Sequence, residues 1–165
     1  MTTKQNKKSF SELIEKHQAI IHKITMVYEN ACADREDLFQ EICLQLWKSY
    51  PNFRKEAKLS TWMYRVALNT AISLYRKSKK KPTTYDYDSV VYKISAEEYD
   101  PTEEQQLNLM YSAVRQLGDI DKALVFLYLE DKNYSEIADT LGISEVNARV
   151  KMNRIKTKLR TILNP

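Results

Sequence analysis

Glycine is nearly absent from this chain, at 2 of 165 residues, and proline is scarce at 4. A β-rich domain turns every ~8–12 residues and places Gly, Pro, Asn or Asp at those turns. The scarcity argues against a sandwich or barrel and for helices. Cysteine is equally rare. Cys32 and Cys43 stand eleven apart with no Cys-x-x-Cys and no adjacent His, which argues against a zinc site or a disulfide framework. No apolar stretch approaches the ~18 residues of a membrane span, and the mean hydropathy is −0.55. Met1 to Ser9 is polar and basic with no apolar run behind it, so no secretory signal is expected. The expectation is a cytoplasmic, all-α protein. At ~100–200 residues per domain, the length allows one ordinary domain or two small ones.

Charge is present in both signs but unevenly placed. The net of +4 conceals three blocks. Residues 1–81 carry 16 Lys/Arg against 8 Asp/Glu. Residues 82–114 carry Lys93 alone against seven acids, and residues 115–165 carry 9 Lys/Arg against 7 acids. No acid follows Glu145, whereas Arg149, Lys151, Arg154, Lys156, Lys158 and Arg160 do. Two basic ends around an acidic middle suggest a nucleic-acid partner. The middle also reads as a tether, bracketed by Pro82 and Pro101 and weakly periodic. The chain therefore divides into a helical module over 9–78, an acidic linker over 79–104 and a second module over 105–163.

In the first module, Ser9 and Glu12 form a capping-box pattern. Phe10, Leu13, Ile14, His17, Ile20, Ile21, Ile24, Val27 and Tyr28 then follow helical spacing. His17 lies on that apolar face and reads as a packing residue. A second helix is expected from Asp34 as N-cap to Pro51. Leu38, Phe39, Ile42, Cys43, Leu46, Trp47 and Tyr50 fill its apolar half, and Asp37, Gln40, Glu41, Leu44, Gln45 and Lys48 share the other. By pattern alone that polar half is plain solvent-facing surface. A third helix is expected from a Ser60 or Thr61 cap to Ser78. It has one apolar face of Leu59, Met63, Val66, Ala67, Thr70 and Leu74, and another of Tyr64, Leu68, Ala71 and Tyr75. Between them runs a stripe of Arg65, Asn69, Ile72 and Arg76, leading into Lys77, Lys79, Lys80 and Lys81. Arg and Lys neutralise phosphates and Asn reads base edges, so the stripe suits DNA. Phe53, Trp62 and Tyr64 are candidate stacking surfaces for unpaired bases, although Trp62 reads better as core.

In the second module, Leu107, Met110, Tyr111, Val114 and Leu117 mark a helix with Gly118 as its C-cap. Asp119 is expected to cap the next, which holds Ala123, Leu124, Phe126, Leu127 and Leu129. Asn133-Tyr134-Ser135-Glu136 is a capping box that opens a short helix. Gly142 turns the chain and Ser144 caps a longer helix. Short helix, glycine turn and longer second helix form the helix-turn-helix signature. In the longer helix Ala148, Met152, Ile155, Leu159 and Ile162 make one seam, and Arg149, Asn153, Lys156 and Arg160 run along a flank. A recognition helix places its N-terminal side chains on base edges in the major groove. Arg149 is placed to contact guanine and Asn153 adenine, with Lys151 and Arg154 better suited to phosphates.

Three motifs together carry a resemblance across nearly the whole chain. Asp37-Leu38-Phe39-Gln40-Glu41 with Leu46-Trp47-Lys48 resembles region 2.2 of the extracytoplasmic-function (ECF) sigma factors of bacterial RNA polymerase. Leu59 through Ala71 resembles regions 2.3 and 2.4. Tyr134-Ser135-Glu136-Ile137-Ala138, Leu141-Gly142-Ile143-Ser144 and the helix to Leu159 resemble region 4.2. Gly118 stands where many relatives have proline. The resemblance implies that Asp37, Gln40, Glu41, Leu44 and Lys48 dock on the β′ clamp helices of core polymerase, with the β flap as a further contact. It implies that Phe53, Arg54, Lys55, Lys58, Arg65, Asn69, Arg76 and Lys77 bind the −10 element, and that a base is flipped near the loop from Phe53 to Lys58. It places Ser144, Asn147, Arg149, Val150, Lys151, Asn153 and Arg154 on the −35 element. It implies an anti-sigma factor as a further partner and puts the acidic linker in a nucleic-acid channel of the polymerase. No enzyme activity, cofactor, metal or small-molecule substrate is expected, since there is no P-loop, metal-ligand cluster or carboxylate–His set. The rival reading is a stand-alone helix-turn-helix regulator that binds duplex DNA without polymerase.

Overall fold

The computed structural model describes residues 3–53, 58–80 and 102–164. Over these the chain forms seven α-helices: α1 (Thr3–Tyr28), α2 (Cys32–Ser49), α3 (Leu59–Lys80), α4 (Glu103–Arg115), α5 (Asp119–Leu129), α6 (Tyr134–Leu141) and α7 (Glu145–Leu163). The expected all-α class is observed. Several helix ends differ from expectation. α1 begins at Thr3, not at a Ser9 cap, because residues 3–8 contain neither Gly nor Pro and nothing stops the helix. α2 starts at Cys32 behind Ala31, which leaves Asp34 in the first turn, where a negative charge meets the positive helix end. A 3-10 turn, Tyr50–Asn52, contains Pro51 and ends α2. α3 starts at Leu59, so Ser60 and Thr61 lie inside it.

The first three helices pack on one another. Ile21, Ile24, Val27, Leu38, Ile42, Leu46, Met63, Ala67, Leu68 and Ala71 are buried. Two positions on α3 exchange the roles expected of them. Leu74 is 36% exposed, whereas Ile72, assigned to the basic stripe, is 6% exposed. The cause is that α3 packs against α5 and α6 as well as α1 and α2. A helix covered from two sides buries a wider arc than one apolar stripe.

α4 begins earlier than the expected second module. Thr102 is its N-cap, with its amide donating to Gln105 Oε1 at 3.3 Å. Its C-cap is Gln116, and Gly118 instead takes the N-cap position of α5 at φ −68°. A Gly at that φ is no left-handed terminator, and Asp119 is the first helical residue. All residues from Lys122 to Leu127 are buried, so α5 is the central helix of the second half.

The helix-turn-helix is formed as its sequence indicates. The Glu136 amide donates to Asn133 Oδ1 at 2.9 Å, and the Asn133 amide donates to Glu136 Oε2 at 3.2 Å. Gly142 closes α6 at φ 69°, a left-handed conformation that costs glycine little. The Asn147 amide donates to Ser144 Oγ at 3.1 Å, which starts α7. Replacing Asn133 with Ala is expected to cost about 1 kcal/mol, since the Glu136 amide loses its side-chain acceptor. A thermal melt of N133A read against the unaltered chain measures this, and an unchanged midpoint would remove the cap's role.

The two halves do not stand apart. A single contiguous apolar cluster runs from Ile21 and Ile24 through Leu68 and Ile72 to Leu124, Phe126, Ile137, Met152 and Ile155. The ring of Tyr64 meets that of Phe126 edge-on, with centroids 5.8 Å apart.

Candidate polymerase and nucleic-acid interfaces

α2 presents its polar half outward. Asp37, Gln40, Leu44 and Lys48 are exposed, and Glu41 and Gln45 are half-buried. Gln45 Nε2 donates to Glu41 Oε1 at 3.0 Å, which fixes the Glu41 carboxylate on this face. Leu44 is 43% exposed among these polar groups. An exposed leucine ringed by polar side chains is a small version of an interface centre with a polar rim. A groove between α2 and α3 runs beside it, lined by Glu41, Gln45, Val66, Asn69, Thr70 and Lys77. Among the described residues, no hydrogen bond or ion pair joins this face to α4–α7.

The candidate −10 residues are divided. Arg54 and Lys55 lie outside the described residues. Lys58 is exposed at the start of α3. Phe53 packs on Trp62 with ring centroids 4.9 Å apart, and Trp62 is also 6.3 Å from Tyr50. Both Phe53 and Trp62 are half-buried, so one edge of this aromatic group faces solvent. Tyr64 is buried and faces the second half, where its hydroxyl donates to Glu130 Oε2 at 3.2 Å. Asn69 and Lys77 are exposed beside the α2 groove. Arg65 and Arg76, the ends of the stripe, turn the other way. Arg65 donates to the Asp139 carbonyl at 3.1 Å, and Arg76 forms an ion pair with Asp119.

That seam holds a set of charges the sequence pattern did not single out. Lys23 Nζ lies 3.0 Å from Glu130, and the Tyr28 hydroxyl donates to the Asp119 carbonyl at 2.8 Å. Arg115 donates to Asn30 Oδ1 at 2.9 Å. Lys122 is 1% exposed, with Nζ 3.7 Å above the ring centre of Tyr75 and 5.7 Å from that of Tyr28. Burial lowers the pKa of Lys122, and the Tyr75 hydroxyl partly offsets this. Burial would raise the pKa of Asp119, but the Arg76 hydrogen bond and the Ile120 amide prevail and hold it below the usual carboxylate value. Burial, followed by the Asp119 charge, raises the pKa of Tyr28, which stays a neutral donor. One signal for Lys122 existed in the sequence. It precedes the unbroken apolar run from Ala123 to Leu129, which has no polar face and so marks a helix covered on several sides.

The candidate −35 residues are open to solvent. Ser144, Asn147, Arg149, Val150, Asn153 and Arg154 are exposed, and Lys151 is half-buried. Beneath them Ala148, Met152 and Ile155 form the buried seam. Arg149 is held in place: its guanidinium is 2.6 Å from Glu145, one helical turn away, and 5.4 Å from the ring centre of Tyr134. Lys156 lies 4.9 Å from the ring centre of Tyr128, and Tyr128 and Tyr134 are neighbours at 6.4 Å. Arg149 and Lys156, two of the basic side chains on the α7 flank, therefore rest on an aromatic floor from α5 and α6. The spacing of α7 alone could not show that floor, because its rings come from other helices. Among the described residues, no group of three or more His, Cys, Asp or Glu is placed to hold a metal, and no helix is long and apolar enough to cross a membrane.

A small helical unit with an exposed polar face on α2 is followed by a helix-turn-helix whose basic second helix is open to solvent. Residues 13–81 match sigma-70 region 2, and residues 107–159 match sigma-70 region 4. The ECF RNA polymerase sigma factor SigM of Mycobacterium tuberculosis is 23% identical over 94% of this chain and 77% of its own. RNA polymerase sigma factor SigZ of Bacillus subtilis is 29% identical over 78% of this chain and 72% of its own. Among solved structures, the sigma factor RpoE of Bartonella quintana, in complex with the anti-sigma factor NepR, has a TM-score of 0.71 at 18% identity. That match covers 94% of this chain and 97% of that one. CnrH, in complex with the cytosolic domain of CnrY, has a TM-score of 0.65 at 16% identity, covering 96% and 89%. The chain belongs to the sigma-70 family, in its ECF group, and is an RNA polymerase sigma factor.

Proposed function

We propose that the outer face of α2 (Asp37, Gln40, Glu41, Leu44 and Lys48) docks the chain on the β′ clamp helices of core polymerase. The −10 strand is held by Lys58, Arg65, Asn69, Arg76 and Lys77, with Phe53 supplying a stacking surface. The exposed N-terminal half of α7 reads the −35 element, with Arg149 and Asn153 on base edges and Lys151 and Arg154 on phosphates. The observation that carries this reading is the pairing of a free, half-acidic α2 face with an open recognition helix in one chain that matches both sigma regions. The chain contributes no bond chemistry; the polymerase supplies that. It works where the polymerase is, in the cytoplasm. The similar sigma factor RpoE, solved with the anti-sigma factor NepR, supports a partner of that kind here as well.

The test is run-off transcription with core polymerase on genomic fragments, with start sites mapped. Specific starts that need both proteins are expected. Tight binding to duplex operators with no polymerase present, and no specific starts with it, would instead identify a stand-alone regulator. Within a mapped promoter, Arg149→Ala is expected to lose about 1–3 kcal/mol of discrimination at one −35 base pair, if its fork is bidentate to guanine. Competition binding against a panel of −35 variants measures this. A uniform loss over the panel would place Arg149 on a phosphate instead.

A further inference from the structure

We propose that Val146 and Val150 set the base preference of α7 by packing on thymine C5-methyl groups in the major groove of the −35 element. This rests on the assignment of α7 to that element and names what it prefers there. Val146 is 71% exposed and Val150 is 42% exposed, one helical turn apart. The other exposed large apolar side chain of α7 is Leu163, at the far end of the helix. At about 100° per residue, the two valines lie roughly 160° and 200° round the helix from Ala148. Ala148 is wholly buried, so the valines bracket the direction that points straight out of the molecule.

Nothing in the fold uses them. Neither belongs to the apolar cluster that holds α7 in place. A β-branched side chain is a poorer helix former than Ala, and apolar surface left in water adds no stability. A single exposed valine is ordinary on any surface. Here two share one face, in the N-terminal turns that a recognition helix places on base edges.

The side chains around them fit a groove. Arg149 and Lys156 lie on one flank, held over Tyr134 and Tyr128. Lys151 and Arg154 fall on the other flank by the same helical spacing. Glu145, the one acid of α7, is paired with Arg149. The helix is therefore short and apolar along its middle, and long and cationic at both edges. Short central side chains let it approach the floor of a groove about 12 Å wide, while the long cations reach the phosphates of the two walls.

On that floor adenine, guanine and cytosine present donors and acceptors, and thymine adds a methyl group. Valine can neither donate nor accept, so covering a polar edge with it would strip off water without giving a partner in return. The thymine methyl is the apolar feature it suits. Side chains four apart on a helix have Cβ atoms about 5–6 Å apart, and base pairs rise about 3.4 Å. The preferred element therefore holds two thymines, on either strand, within about two base-pair steps of each other.

Replacing thymine with uracil tests this, because every hydrogen bond stays and only the methyl is removed. The probe is a fluorescein-labelled duplex carrying a promoter mapped by run-off transcription, bound by the full chain with core polymerase. Each −35 thymine is replaced singly. Two of the replacements should weaken competition binding about fourfold each, the value of one buried methyl-sized group. Val146→Ala should remove the penalty at one of these positions and Val150→Ala at the other, each variant binding the thymine duplex about as the unaltered chain binds the uracil one. Both variants should stay folded, since Ala is the better helix former at an exposed site. A penalty absent at every thymine, or undiminished in both variants, overturns the proposal, as does a −35 element of G·C pairs alone. Arg149→Ala separates this from the underlying assignment. If it weakens −35 binding while the uracil series has no effect, α7 reads the element without its valines. If Arg149→Ala, Asn153→Ala and both valine variants all leave −35 binding unchanged, α7 is not the reader and both assignments fall.

Discussion

Glu41→Arg will abolish capture of core polymerase, with a loss of at least a hundredfold in a titration with labelled chain. Glu41 sits half-buried on the outer face of α2, where Gln45 holds its carboxylate in place. Placing a like charge against a complementary partner costs several kcal/mol, and a hundredfold corresponds to about 2.7 kcal/mol. The fold should tolerate the change. Leu38, Ile42 and Leu46 fill the buried half of the same helix and are untouched. The one internal interaction lost is the hydrogen bond from Gln45, between partly exposed groups and worth about 1 kcal/mol. Binding to single-stranded DNA should not fall, because a positive charge is gained. Capture that survives in a pull-down, with a native circular-dichroism spectrum, would move the docking face elsewhere.

The legibility of this chain in sequence depended on whether a feature lies within one helix or between helices. The helix-turn-helix was legible nearly to the residue, because Asn133, Glu136, Gly142 and Ser144 act locally and their roles follow from backbone chemistry. The α2 faces were legible because α2 packs from one side and its buried arc is a simple stripe. α3 was read less well. Ile72 and Leu74 exchanged places because α5 and α6 cover a second arc that no single-helix pattern records. Gly118 was misread for a similar reason, since the turn from α4 to α5 is short enough that the glycine begins one helix instead of ending the other. The seam itself was not legible. Tyr28 stands 91 residues before its partner Asp119, and Asp119, Lys122 and Glu130 each alone look like ordinary surface residues. Charge analysis gave the two basic ends but not that two arginines of the first are bound by acids and carbonyls of the second half.

Ile155→Asp will unfold the second half, and it should do more than remove DNA binding. Ile155 is 2% exposed in the α7 seam, next to Met152 at 3% and Ala148 at 0%. The substitution removes a buried side chain and introduces a carboxyl with no partner. Together these cost about 4–6 kcal/mol, comparable to the 5–15 kcal/mol that keeps a domain folded. Because the apolar cluster continues from α7 through α5 into α3, the first half should also lose stability, and its melt should move down with that of the second. The sign of the pH effect follows from the same burial. A carboxyl in an apolar site has a folded-state pKa raised above its unfolded value of about 3.9. The penalty is smallest below that value and grows as pH rises through the folded pKa. Relative to the unaltered chain at the same pH, the variant should therefore be least impaired near pH 4. Leu159, on the same seam but only half-buried, should give a milder version of both effects when changed to Asp. Arg149→Ala provides the contrast, with DNA discrimination lost and the melt unmoved. A native melt for the Ile155→Asp variant at pH 7 would mean that α7 is held to the molecule by something other than its apolar seam.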